Sequence, residues 1–322
     1  MVSFFKDKSS FAVFAAVILS LCIHAHFLIA PPQILADNND GLLYYFLQPF
    51  KTIPSIAIAA IYHMVVVLQA LRLNYLMNDA RMFAKTGYTT GAAYILLTAL
   101  LPEWNNLSDA LIANSFVIWV LFRIIKIYGN PHIKTLLFNI GLIASSTVLL
   151  YYAAVPLLII VFIALAILRA FRINEWLVLL LGICTPFYFY AGYLFLNDKL
   201  SEAKEIANGF AINAIHPQNI AALIIVCVVA GLSILSGIYF WQKYNTRMVV
   251  QIRKNWSIMF LLLLLFIPMI FFLKNAWPFS LLLACVPAAA FVSNAFLYPQ
   301  KNFVAAVFFW FLAVAVIYNS WH

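Results

Sequence analysis

Charge is the scarcest commodity in this sequence. Asp, Glu, Lys and Arg make up 9% of its 322 residues, and only ten of them are acids. A soluble domain carries about 25% charged residues, so this chain lacks the means to coat a water-facing surface. Cysteine excludes more than it offers. Cys22, Cys184, Cys227 and Cys285 all fall inside apolar stretches with no CxxC spacing. They read as small buried hydrophobes, and neither a zinc site nor a disulfide framework is implied. No GxxxxGK[ST], GxGxxG, GxSxG or HExxH occurs either. Nucleotide-driven transport and the familiar hydrolase chemistries therefore have no motif to stand on.

What the chain has instead is apolar length. It is 66% hydrophobic with a mean hydropathy of +1.00, and runs of about 20 apolar residues recur, each able to span a ~30 Å hydrocarbon core. In lipid such segments must be helices or a closed barrel, and continuous rather than alternating runs select helices. The prediction is an all-α, polytopic transmembrane bundle. Lys6-Asp7-Lys8 precedes a first span at 10–30. A basic start before an apolar run also describes a signal peptide, but this run is long and no small-x-small site follows, so it reads as an anchored span. Others fall at 54–77, 88–102, 110–128, 176–196, 220–241, 257–273, 278–296 and 303–318. The third, about 15 residues, is below the usual ~17–25 and must lean on its neighbours. Residues 135–168 hold no charge and as one helix would measure about 51 Å. Tyr151-Tyr152 and Pro156 mark a break into two short spans. The total is about eleven, divided into a core of about seven spans (1–196), an outer interfacial loop (197–219) and about four further spans (220–322).

Net charge is +9. In a soluble protein that would suggest a nucleic-acid partner; here topology accounts for it and no nucleic acid is expected. With the N-terminus in the cytoplasm, 15 of the 19 Lys and Arg lie inside, and Lys51, Lys199, Lys204 and Lys274 lie outside. The acids lean the other way, with Asp37, Asp40, Glu103 and Asp109 outside. N-in, C-out topology follows. Both acidic turns, Asp37-Asn38-Asn39-Asp40 and Glu103 to Asp109, then face one side. Two converging carboxylates can hold a divalent cation or serve as a general base. Against this, Asp37 and Asp40 also fit an Asn/Asp-rich turn, and Ser108 with Asp109 also fits a cap on the fourth span, the favoured reading for Ser108. His24 and His26, two apart on a helix, point about 200° apart and share no face. His63 reads as a neutral imidazole bonded to a backbone carbonyl, and Asn74, Asn78 and Asp79 read as caps. No chain of acids crosses the spans, as a proton path would need.

An acidic first outer loop with a Tyr-rich entry, Asp37-Asn-Asn-Asp40-Gly-Leu-Leu-Tyr44-Tyr45, resembles the start of the GT-C superfamily of membrane glycosyltransferases. So do the short third span leading into Leu107-Ser108-Asp109-Ala110-Leu111, and the paired short spans from Phe138 to Pro156. The likeness covers about the first 195 residues. It departs in having no large outer soluble domain and no contiguous acid pair in the first loop. The whole chain also resembles a family of polytopic inner-membrane proteins from Bacteroidota that carries no established activity. The GT-C resemblance implies Asp40 or Asp37 as general base, with Asp109 or Glu103 assisting. It also implies a polyprenyl-phosphate sugar donor, bound from membrane lipid. Lys51, Lys199, Lys204, His216 and Lys274 are the outer groups able to meet its phosphate, though each lysine equally fits interfacial snorkelling. The alternative is a non-enzymatic inner-membrane subunit or scaffold of an envelope assembly or export complex, whose partners are other membrane proteins.

Overall fold

The structure is a computed structural model that describes residues 2–6, 10–36, 40–199, 220–245, 248–272, 278–299 and 301–321. Among these are fourteen helices. The first nine are α1 (Val2–Lys6), α2 (Ser10–Ile23), α3 (Leu43–Leu47), α4 (Ser55–Asp79), α5 (Thr89–Thr98), α6 (Asp109–Ile124), α7 (Ile133–Leu150), α8 (Pro156–Leu168) and α9 (Ile173–Leu196). Then come α10 (Ile220–Asn245), α11 (Val250–Phe266), α12 (Phe279–Leu282), α13 (Cys285–Leu297) and α14 (Asn302–Trp321). Seven of them (α4, α6, α7, α9, α10, α11 and α14) are long and apolar enough to cross a membrane, and α2, α8 and α13 are shorter apolar helices. The protein is an all-α, multi-pass membrane protein. The break expected inside 135–168 is present: α7 stops at Leu150, a 3-10 turn covers Tyr152–Ala154, and Pro156 opens α8.

At the centre stands α5, about 15 Å long at 1.5 Å per residue, half of what a bilayer core requires. It survives because every one of its ten residues is buried. Packed around it are α2, α4, α13 and α14, so lipid never meets its ends. Side chains bond to a carbonyl within it and to one just past its end. Thr98 Oγ1 donates to Tyr94 O at 3.0 Å, and Asn319 Nδ2 donates to Leu100 O at 2.9 Å. Thr89 and Ser293 hydroxyls pair at 2.6 Å where α5 crosses α13. A buried amide, Gln69, donates to Leu111 O at 2.6 Å and accepts from the Tyr94 hydroxyl at 2.7 Å, joining α4, α5 and α6. The short third span thus leans on its neighbours, as its length demands. Helices from both sides of residues 197–219 share this one core.

The two ends of the bundle differ in charge. Tyr88 N donates to Phe5 O and Trp256 Nε1 donates to Met82 O, which gathers Lys6, Arg81, Lys85, Arg253 and Lys254 at one end. At the other end, where Trp104 Nε1 donates to Pro278 O and Asn105 Nδ2 to Ser320 Oγ, the described Lys and Arg are Lys51 and, just past α9, Lys199. Two sequence expectations are corrected here. Asn74 and Asn78 do not cap α4. Both side chains donate to Gly87 O, at 2.8 and 2.9 Å, and so hold the following loop against the helix. Of the four cysteines only Cys285 is buried; Cys22, Cys184 and Cys227 face outward, where an apolar thiol meets lipid without penalty.

Helix α9 lies against α7, and the approach is so close that Gly141 and Gly182 meet backbone to backbone. A Cβ on Gly182 would overlap the Phe138 carbonyl. Small residues at such crossings let helices associate where lipid offers no hydrophobic drive. Gly192, on the same helix, has open space around it. Gly182→Ala is therefore expected to lower the thermal unfolding midpoint in detergent, at a cost of about 1–3 kcal/mol. Gly192→Ala should leave it unchanged or raise it slightly. Equal effects of the two substitutions would contradict this packing.

Candidate functional site

The Lys/Arg-poor end is built from three chain segments that are distant in sequence. After α2 the chain makes a 3-10 turn, Ala25–Leu28, passes Pro31-Pro32, and forms a two-residue strand, β1 (Ile34–Leu35). This pairs in parallel with β2 (Leu107–Ser108), matching Ile34 with Leu107 and Leu35 with Ser108. Gln33 completes the seam. Its N–H donates to Asn106 Oδ1 at 2.9 Å, and its carbonyl accepts from Leu107 N at 2.9 Å. The strand β2 runs straight into α6. Ser108 Oγ accepts from Leu111 N at 3.3 Å, the N-cap expected from the sequence. Asp109 is then the first helical residue, at the positive end of the helix dipole.

The third segment is the break between α7 and α8. Tyr152 N donates to Asp40 O at 2.8 Å, and Leu42 N donates to Leu149 O at 3.0 Å. Between these two bonds sits Gly41, with φ +144°, pressed so close that a Cβ would overlap the Leu150 carbonyl. A side chain has neither room nor a suitable backbone conformation there. Asp40 is thereby fixed beside Tyr151.

The result is one cavity of about 430 Å³ whose lining includes Asp40, Asp109, Ser108, Tyr151, Tyr44 and Lys51. Phe279, at the start of α12, closes one side. Both carboxylates are deeply placed, Asp40 at 8% and Asp109 at 3% exposure. Tyr151 is 1% exposed, and its hydroxyl has no hydrogen-bond partner among the described residues. Burial first, and then the charges of Asp40 and Asp109, push its phenol well above the usual tyrosine range. It stays a neutral O–H donor, within electrostatic reach of both acids. At the rim the Lys51 ammonium stands 5.5 Å from the centre of the Tyr44 ring, a cation–π distance. Carboxylates, a phenol donor, aromatic faces and one cation are the groups that recognise a polyhydroxylated ring next to an anion.

Of the residues singled out in the sequence, Asp40, Asp109 and Lys51 come together here. Glu103 lies in the 3-10 turn Pro102–Asn105 and does not line the cavity. Lys199 is exposed just past α9 and does not line it either. Asp37, Lys204, His216 and Lys274 lie outside the described residues. In the sequence Tyr151 marks only a break between two short spans. What could have flagged it is a phenol placed where an uncharged run must turn.

No family model, curated protein or solved structure matches this chain. The site must speak through its own chemistry.

The histidines form a separate polar cluster beside this region. The sequence reading that His24 and His26 point apart assumed a helix continuing through both. Because α2 ends at Ile23 and a 3-10 turn follows, the two rings come to 6.0 Å. His24 Nδ1 donates to Ser20 O at 2.8 Å, so its Nε2 is the acceptor, 3.2 Å from the Tyr62 hydroxyl. His63 also departs from expectation, with Nδ1 2.9 Å from the Ser20 hydroxyl instead of a backbone carbonyl. Among the described residues no three His, Cys, Asp or Glu are arranged to hold a metal ion.

Removing the Tyr151 hydroxyl offers a direct check. A buried O–H with no partner contributes no net stability, so Tyr151→Phe should unfold in detergent at or slightly above the wild-type midpoint. A fall of several degrees would show that the hydroxyl is hydrogen-bonded inside the fold.

Proposed function

We propose that this cavity is the catalytic site of a GT-C-like membrane glycosyltransferase. It acts at the extracytoplasmic face of a bacterial inner membrane on a polyprenyl-phosphate-linked sugar donor. The observation that carries the reading is the convergence of Asp40, Asp109 and Tyr151, from three distant segments, on one cavity at the Lys/Arg-poor end. The topology belongs to the same proposal: about eleven crossings, N-terminus cytoplasmic and C-terminus extracytoplasmic, following the positive-inside rule.

In this mechanism the acceptor hydroxyl attacks the anomeric carbon of the donor. As the new C–O bond forms, the bond from that carbon to the phosphate oxygen breaks, and polyprenyl phosphate leaves with the electron pair. Asp40 takes the acceptor proton, and Asp109 holds a neighbouring hydroxyl. The Tyr151 O–H donates to an oxygen of the sugar, and Lys51 offsets charge on the departing phosphate. Asp40 and Asp109 are also oxygen ligands of the kind Mg²⁺ takes together with substrate phosphates; a bound ion would neutralise the leaving group. The second reading, a non-enzymatic subunit, draws on α9, which leaves 83% of its most apolar stretch unburied in this chain (17% buried) and so offers a long face to another membrane protein.

A general base typically contributes ~10²–10⁴-fold, so Asp40→Asn should cut transfer from a polyprenyl-phosphate sugar by about that factor at unchanged protein level. Asp37→Asn serves as the comparison, since the two acids compete for the role. Full activity in the Asp37→Asn, Asp40→Asn double variant would end the enzyme reading and leave the subunit reading standing. Cysteine accessibility at Lys85, Lys204 and His322 tests the orientation independently, with Lys85 expected inside and the other two outside.

A further inference from the structure

At the opposite, Lys/Arg-rich end lies a second and larger cavity, about 610 Å³ and open on one side, lined by the C-terminal ends of α4 and α6, the Gly129-Asn130-Pro131 turn and the start of α11. Nothing in the proposed transferase chemistry uses it. Its lining carries Arg81, Lys126, Asn130, Gln251 and one acid, Asp79. Lys254 stands at the edge, its ammonium 5.9 Å from the centre of the Tyr128 ring. The local balance is positive, and the polar lining is rich in N–H donors. Asn130 uses its side-chain oxygen on His132 N at 2.8 Å, which turns its amide donors elsewhere.

Arg81 is the telling residue. It takes the left-handed conformation, φ 51°, that ends α4, with its own N–H bonded to Asn78 O at 3.1 Å and Met82 N bonded to Met77 O at 3.0 Å. Glycine or asparagine normally fills this position, because a Cβ is strained there. An arginine held in that conformation lines the cavity against a backbone cost. Beside it the wall turns apolar: Ile125 and Ile252 line the cavity, and Val249 and Val250 are exposed at 67% and 51%. Cations and amide donors therefore sit immediately next to uncovered aliphatic surface. A soluble anion would need only the first of these features.

We propose that this cavity binds the phosphate of an anionic phospholipid headgroup from the adjoining leaflet. Arg81 and Lys126 meet the phosphate, Asp79 accepts from a headgroup hydroxyl, and Val249 and Val250 contact the start of an acyl chain. Basic pockets between helices on this side of a membrane protein are suited to such headgroups. The same phosphate chemistry is available from a soluble phosphomonoester, so the test must separate the two.

The experiment uses the purified full-length protein in detergent with phosphatidylglycerol, phosphatidylcholine or glycerol 3-phosphate added. Retained lipid is read by native mass spectrometry, and stability by thermal unfolding. Phosphatidylglycerol should bind in preference to phosphatidylcholine. Each cation removed, by Arg81→Gly or Lys126→Gln, should weaken it about fivefold, the effect expected for one basic residue near a membrane surface. Arg81→Gly also relieves the backbone strain, so without lipid its unfolding midpoint should equal or exceed that of the wild type. That keeps loss of binding distinct from loss of fold. If glycerol 3-phosphate stabilises as well as the lipid, with the same dependence on Arg81 and Lys126, the phosphate site stands and its ligand is soluble. Equal retention of phosphatidylglycerol by wild type and double variant, or no preference over phosphatidylcholine, overturns the proposal.

Discussion

A peptide group inside a bilayer has no water to pair with, and leaving it unpaired costs several kcal/mol. That constraint organises this structure. Long helices satisfy it alone, but ten-residue α5 and the turns at 29–36, 104–108 and 150–155 cannot. Each is bonded to another segment, and α5 and the turns at 104–108 and 150–155 are also largely buried, whereas much of 29–36 is exposed. For α5 the partner is the Ser293 hydroxyl at the α13 crossing, and just past its end Asn319 bonds to Leu100 O. For the turns, the partners are one another.

The candidate site is a consequence of that second solution. β1 finds its partner in β2, and the chain just beyond β1 bonds to the α7–α8 break through Asp40 O and Leu42 N. Three stretches of irregular backbone thus satisfy each other at one end of the bundle. The side chains they carry, Asp40, Asp109 and Tyr151, are brought to one cavity by these main-chain bonds. Stability and site are here the same set of hydrogen bonds. Gly41 shows how tight the arrangement is, since it alone permits the approach to Leu150.

Much of this was legible in the sequence because lipid makes the rules strict. An uncharged run too long for one crossing had to break, and Tyr151-Tyr152 with Pro156 marked where. A span too short to cross had to be enclosed, and α5 is. Ser108 was readable as a cap from its place before an apolar run, and the shared side of Asp40 and Asp109 followed from counting crossings. What escaped depended on where a helix stops or on partners far along the chain. The helix ends at Ile23 and not beyond His26, a difference of about one turn, and this reverses the relation of the two histidines. Asn74 and Asn78 looked like caps because a helix end followed, yet they bond to Gly87, whose position local sequence does not encode. Glu103 and Asp109 were equivalent on paper. Only the 3-10 turn and the β1–β2 register separate the acid that lines the cavity from the one that does not.

The central claim, that the two acidic turns share one cavity because β1 and β2 pair in register, can be measured without any substrate. Paired residues on adjacent strands sit about 5 Å apart, within the Cα separation a disulfide requires. With the four native cysteines replaced, Leu35→Cys and Ser108→Cys should therefore oxidise to an intramolecular disulfide in native membranes, detected by peptide mass after digestion. If both thiols remain open to alkylation after oxidation, the turns do not pair and the shared cavity does not exist.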